Sequence, residues 1–153
     1  MSLFLSLQGS MAVGKTTAAR YLEACLPDIH VSYEENRSVI EEIRRRGLNK
    51  NKYEDYLEIQ KLWLMNEVRR WEACRDYPCT VMDFGAEEIV FYTLNYPRSM
   101  GWDWEVEIPL QKELEQVKGA CLRESYFWTH LRSGFAKIKR EMRLAPGNFL
   151  NIM

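Results

Sequence analysis

The sequence predicts an α/β domain built on a parallel sheet, and three observations carry that expectation. A short apolar run, Leu3-Phe4-Leu5-Ser6-Leu7, leads through a glycine loop straight into a helix. A second apolar run, Cys79-Thr80-Val81-Met82, ends in Asp83. Around them, β-prone runs alternate with stretches whose apolar residues recur at steps of three and four, the order of strands separated by amphipathic helices.

The glycine loop is the most specific of the three. Gly9-Ser10-Met11-Ala12-Val13-Gly14-Lys15-Thr16 fits G-x-x-x-x-G-K-[ST], with a second hydroxyl at Thr17. The glycines permit backbone geometry that side chains block, so successive N–H groups can turn inward around a phosphate. Lys15 is suited to place a point charge on β and γ phosphates, and the Thr16 hydroxyl to ligate a Mg²⁺ that bridges them. Residues 17–26 continue as a helix that Pro27 stops, and its positive end faces the same anion. The alternative, a glycine turn in an unrelated fold, does not require this order of strand, loop and helix.

With 153 residues the chain has the size of one domain, large enough to bury about two-thirds of its unfolded surface. Its net charge of −1 argues against a general nucleic-acid or membrane surface. No long uncharged apolar run suggests a membrane span or a signal peptide. Cys25, Cys74, Cys79 and Cys121 form no C-x-x-C pair and have only His30 and His130 as nitrogen companions, which argues against zinc and for reduced thiols in a cytoplasmic protein. The oligomeric state is not fixed by any of this, and a homodimer stays open.

In chain order, His30-Val31-Ser32-Tyr33 is a short strand that ends in Glu34-Glu35-Asn36. Carboxylates at the carboxyl end of such a strand point toward the ligand side of an open sheet, which makes Glu35, or Glu34 in a shifted register, a candidate general base. The same residues also suit the start of the next helix, residues 37–46, where acidic groups favour the dipole. That helix ends in Arg44-Arg45-Arg46 before Gly47, read as a solvated C-terminal turn. Residues 52–74 predict a long helix with Tyr53, Leu57, Leu64, Val68 and Trp71 on one stripe, widened by Tyr56 and Met65, and with Gln60 on or near it.

The strand after Asp76-Tyr77-Pro78 places Asp83 where a carboxylate can hold Mg²⁺ directly or through water. Residues 87–94 suggest a short helix, residues 95–104 an aromatic-rich loop, and residues 108–118 another helix. From Ser125 to Arg143, Phe127, Leu131, Phe135, Ile138 and Met142 predict a helix whose other face carries Arg132, Lys137, Lys139, Arg140 and Arg143. Pro146-Gly147 then turns the chain into a final strand over residues 148–153.

Taken together, the phosphate loop, the strand ending in Glu35-Asn36, the long helix with Gln60, the strand ending in Asp83 and the late basic helix resemble the deoxynucleoside kinase and thymidylate kinase group of P-loop phosphotransferases. The resemblance implies a three-layer fold with strands in the order 2-3-1-4-5, helices on both faces of the sheet and an arginine-containing lid over roughly residues 119–143. It implies ATP and Mg²⁺ as cofactors, Glu35 as the base that takes a proton from an acceptor hydroxyl, and Gln60 as a reader of the nucleobase edge. It also implies a lid arginine, for which Arg132 is the candidate, although a solvated basic helix face fits that side chain equally well.

Two departures stand out. Asp83 is followed by Phe84-Gly85 where the group carries Asp-Arg or Glu-Arg-Ser, so the acceptor need not be a common deoxynucleoside. Residues 117–125 offer no apolar run for a fourth strand, and the simplest account is that a segment of roughly 15–30 residues is missing around residues 119–125. The expected activity is transfer of the ATP γ-phosphoryl group to a hydroxyl of a small nucleoside-like molecule. The alternatives are a nucleoside monophosphate kinase and a regulatory NTPase that transfers no phosphoryl group to a small molecule.

Overall fold

The computed structural model describes residues 3–9, 12, 14–120 and 125–127. Its strands are β1 (Leu3–Gln8), β2 (His30–Ser32), β3 (Cys79–Asp83) and β4 (Ser125–Phe127). They pair in parallel in the order β2-β3-β1-β4. The chain is therefore α/β with a parallel sheet, as its alternating pattern predicts. The strands belong to one of two units, formed by Met1–Glu34, Cys74–Gly85 and Leu122–Met153; the other consists of Glu35–Ala73 and Ala86–Cys121.

In the first unit the period of two along the strands builds the core. Leu5 and Leu7 of β1, Val31 of β2 and Cys79 and Val81 of β3 cluster with Ala18, Ala19 and Leu22 of the helix α1 (Lys15–Cys25). Ala18 and Ala19 are fully buried, and their small side chains allow the helix backbone to approach the sheet closely. The order of strands makes β1 a switch point: the chain leaves it for β2 and β3 on one side and reaches β4 on the other. Open α/β sheets gather ligands at the carboxyl ends of the strands beside such a point.

The second unit is helical, with α2 (Arg37–Arg46), most of α3 (Tyr53–Cys74), α4 (Ala86–Ser99) and α5 (Gln111–Ala120). Tyr56, Leu64 and Val68 on α3 pack with Ala86 on α4, with Val106 and Leu110, and with Leu114 and Val117 on α5. The aromatic-rich stretch covers this core rather than standing clear of it. Trp104 packs against the cluster, lies 5.6 Å from both Tyr53 and Tyr56, and stacks on Trp102 at 4.2 Å. Lys50 rests over the Tyr96 ring at 5.3 Å. Among the described residues no helix is long and apolar enough to cross a membrane.

The structure corrects several expected boundaries. α4 runs on through Asn95 and Pro97 to Ser99, where a loop was expected from residue 95. Proline lacks the N–H that would bond the carbonyl four residues earlier. Here that carbonyl belongs to Thr93, and the buried hydroxyl of Tyr56 donates to it at 2.9 Å. α5 begins at Gln111 and not at Ile108, because Pro109 disfavours helical geometry in the residue before it.

The largest correction concerns Ser125, expected to open a helix. Ser125-Tyr126-Phe127 is instead the fourth strand, in register with Ser6, Leu7 and Gln8 of β1. Three residues are too few to show a period, and Phe127 fits the stripe of a helix as well as a strand. β4 supplies a fourth strand where none was expected, and residues 121–124, within the span around residues 119–125 suspected of missing a segment, lie outside the described residues. The expected helix beyond Phe127, Arg132 and the basic lid, and the final strand over residues 148–153 also lie outside them.

Candidate functional site

Adjacent parallel strands β1 and β3 deliver the parts of the first candidate site. Leu7 is in register with Asp83, so the Asp83 carboxylate and the start of the glycine loop stand side by side at the carboxyl edge of the sheet. Gly9 and Gly14 have φ of 141° and 92°, in the region that side chains rarely adopt, and Ala12 has φ of 62°. Gly14 is the N-cap of α1, so the last turn of the loop feeds directly into the first turn of the helix. The expectation of a helix from residue 17 is corrected by two residues, since Lys15 and Thr16 already belong to α1. Ser10, Met11 and Val13 lie outside the described residues.

The side chains converge on one another. Thr16 Oγ1 donates to Asp83 Oδ2 at 2.7 Å, linking the helix start to the end of β3. Lys15 Nζ donates to the Gly9 carbonyl oxygen at 2.7 Å, folding back along the loop. Asp83 is buried while Thr16 and Thr17 are exposed, so the pair has one inner and one solvent-facing oxygen donor. The residue after Asp83, Phe84, holds φ of 73°, an unusual conformation for a bulky side chain and one that turns the chain sharply at the end of β3.

Tyr33 completes the edge of this unit, and the sequence reading had not singled it out. Its hydroxyl donates to Glu23 Oε2 of α1 at 2.7 Å, and that hydrogen bond holds the phenol above its ordinary range.

The second unit holds the other expected residues. Glu35 Oε1 accepts from the Arg37 N–H at 2.8 Å, so the carboxylate serves the start of α2. The two readings of Glu35 are therefore not exclusive: the side chain is exposed and also fixed by the helix it precedes. Asn66, buried on α3, donates from Nδ2 to the Glu35 carbonyl oxygen at 2.9 Å and pins the backbone at the same residue. Gln60 is half-buried, and its Oε1 accepts from Thr93 Oγ1 at 2.8 Å. Thr93 itself is fully buried on α4. Neither Asn66 nor Thr93 belongs to a recognisable motif, although Thr93 is legible as the residue four before Pro97, where a carbonyl must find an outside donor.

The arginine run behaves as a solvated helix end. Arg45 and Arg46 pair with Glu42 at 2.7 and 2.6 Å, and Gly47 closes α2 with φ of 64°. Among the cysteines, Cys74 and Cys79 are buried and Cys25 is exposed, and burial pushes the Cys79 thiol up to about 11. Cys121 lies outside the described residues. No protein-family model matches the chain, and a comparison with curated proteins finds no match either.

Proposed function

We propose that this chain is an ATP- and Mg²⁺-dependent phosphotransferase that moves the γ-phosphoryl group of ATP to a hydroxyl of a small nucleoside-like molecule. We place it in the deoxynucleoside kinase and thymidylate kinase-like group, with the 2-3-1-4-5 sheet that group implies. One observation carries the reading: a glycine loop with two left-handed glycines delivers Lys15 and Thr16 to the carboxyl edge of the sheet, where Thr16 meets Asp83 at 2.7 Å.

The chemistry of this pair fits Mg²⁺. That ion favours hard oxygen ligands, keeps several waters and takes only one or two protein groups beside the phosphates. A hydroxyl and a carboxylate oxygen in contact are such a set, with Thr16 as a direct ligand and Asp83 direct or through water. Bound there, the ion neutralises charge on the β and γ phosphates. Lys15 supplies a second positive charge to the same oxygens, and the loop amides and the N-terminus of α1 complete the cradle.

The acceptor side of the proposal rests on Glu35 and Gln60. The Glu35 carboxylate orients the acceptor hydroxyl and takes its proton as the oxygen attacks phosphorus. Its hydrogen bond to the Arg37 N–H and the grip of Asn66 on its carbonyl limit its motion, which lowers the cost of ordering at the moment of transfer. Gln60 offers an amide donor and acceptor to the edge of a base. Arg132 is assigned to the lid, where positive charge stabilises the equatorial oxygens of the transferring group.

Lys15→Ala tests the enzyme directly. ATP turnover with an acceptor panel should be lost while the circular dichroism spectrum is retained; unchanged turnover would remove the phosphotransferase claim. Turnover that is slow and indifferent to every acceptor would favour the regulatory NTPase instead. In Glu35→Gln the loss should fall on kcat, with the KM for ATP little changed, because the group acts on the acceptor alone.

A further inference from the structure

The left-handed region of the backbone is a small well for any residue with a β-carbon, so a bulky side chain held there marks a place where the fold sustains local strain. Among the described residues, the non-glycine positions with positive φ are Ala12 and Phe84, at 62° and 73°. Both follow strands that end at the carboxyl edge of the sheet: Ala12 lies in the glycine loop after β1, and Phe84 follows Asp83 at the end of β3. Phe84 is half-buried, yet it is not among the described residues that build or line either core cluster, so core packing does not account for its conformation. Its place in the chain does. Asp83 is in register with Leu7 on the β1 side, whereas on the β2 side the register ends one residue earlier, at Met82. Phe84-Gly85 is all the chain between that last strand residue and the start of α4 at Ala86. Gly85 leaves its own dihedral angles broadly open, so Phe84 is the residue that narrows the turn.

We propose that Phe84 is a positioning residue for the ion site: its narrow left-handed turn fixes the Asp83 carboxylate beside the Thr16 hydroxyl, and this rigidity favours Mg²⁺ over the larger Ca²⁺. The pair to be held is a buried carboxylate and a hydroxyl in contact at 2.7 Å. Mg²⁺ demands near-ideal octahedral geometry at about 2.0–2.1 Å, whereas Ca²⁺ takes about six to eight oxygens at about 2.3–2.6 Å in flexible arrangements. Oxygens fixed in place therefore suit the first ion, and oxygens that move lose that advantage. Exchanging Phe84 for glycine joins two unrestricted residues behind Asp83, which frees the carboxylate from its place beside Thr16. Asparagine is the non-glycine residue most at home in the left-handed region, so it keeps the turn while removing the ring. The inference deepens the phosphotransferase reading and rests on its assignment of Thr16 and Asp83 to the ion.

The test measures Kd for MgATP and for CaATP by calorimetry in the wild-type chain, Phe84→Gly and Phe84→Asn, with backbone order parameters of each protein free of nucleotide and metal. The wild type should hold MgATP more tightly than CaATP. Groups that orient a metal ligand carry about 10–100-fold in metal affinity, so Phe84→Gly should raise the Kd for MgATP by about tenfold or more. The less demanding Ca²⁺ should lose less than about threefold. Phe84→Asn should keep both values close to wild type. Without ligands, the order parameters at Asp83 and Gly85 should fall from about 0.85 to below about 0.6 in Phe84→Gly and stay high in Phe84→Asn. An unchanged preference for MgATP in Phe84→Gly, equal weakening of both nucleotides, or the same loss in Phe84→Asn overturns the inference and leaves the phosphotransferase standing. So does failure of Phe84→Gly to fold, which would make the side chain a structural one, and so does a wild type that holds both nucleotides equally. A wild type that binds ATP with neither ion overturns the two together.

Discussion

Tyr56 shows how one hydroxyl can decide where a helix ends. Pro97 removes the backbone donor that Thr93 O would otherwise receive, and the Tyr56 phenol replaces it at 2.9 Å. Burial pushes that phenol above its ordinary value of 10.0, so it remains a neutral donor at physiological pH. Tyr56→Phe should cost about 1–3 kcal/mol, the penalty for a buried carbonyl left without its donor. Pro97→Ala restores the helical N–H, so the cost of Tyr56→Phe should shrink by about 0.5 kcal/mol or more in that background. Urea unfolding of the four proteins of the cycle measures this, and an equal cost in both backgrounds would contradict it. Thr80 on β3 is the opposite case. Its hydroxyl is fully buried with no hydrogen-bond partner among the described residues, so Thr80→Val should stabilise by about 1 kcal/mol.

Elements were legible where a pattern repeats and illegible where a single tertiary contact decides. α3 shows its stripe over many turns, and α2 announces its end with basic residues and Gly47. α4 was read short because Pro97 breaks helices in isolation, and the Tyr56 hydroxyl that rescues it is forty-one residues away in sequence. β4 was missed because a strand of three residues, Ser125–Phe127, has no period of its own and exists through its register with β1. The loop, Lys15, Thr16 and Asp83 were legible because the glycine motif and the apolar run before Asp83 fix their places beside strand ends; Asn66 was not, since a buried side-chain amide has no motif. At the C-terminal end of α2, hydrogen bonds from Arg45 and then Arg46 lower the Glu42 carboxyl from 4.5 to about 2. A lowered folded-state value stabilises above the unfolded one and loses its effect as pH falls through the folded one. The stability difference between wild type and Glu42→Gln should therefore be constant above pH 4.5 and fade between pH 4.5 and about 2. A difference that stays constant over that window would show that the ion pairs contribute nothing.

At the scale of the molecule, the first unit is assembled from three separate stretches of chain and the second from two, so neither folds from one continuous piece. The proposed donor site draws on two of the three stretches: Gly9, Lys15 and Thr16 come from the first and Asp83 from the second. A ligand held by both stretches binds only when the sheet that aligns them is formed, and its binding energy adds to the stability of that sheet. At 100 times its Kd, MgATP should then raise the unfolding free energy by about 2.7 kcal/mol. Thr16 and Asp83 are the oxygen donors assigned to the ion, so ATP with excess chelator should give a smaller shift than MgATP. Asp83→Asn should narrow the gap between the two, and Lys15→Ala should reduce both shifts. A nucleoside acceptor given alone should stabilise the wild type and Lys15→Ala equally, since Gln60 and Glu35 do not depend on the loop lysine. Thermal unfolding of the three proteins with each ligand reads all of these outcomes. An MgATP shift that is the same in wild type and Lys15→Ala would mean that the nucleotide is held elsewhere, and the glycine loop would lose the role on which the reading of the molecule depends.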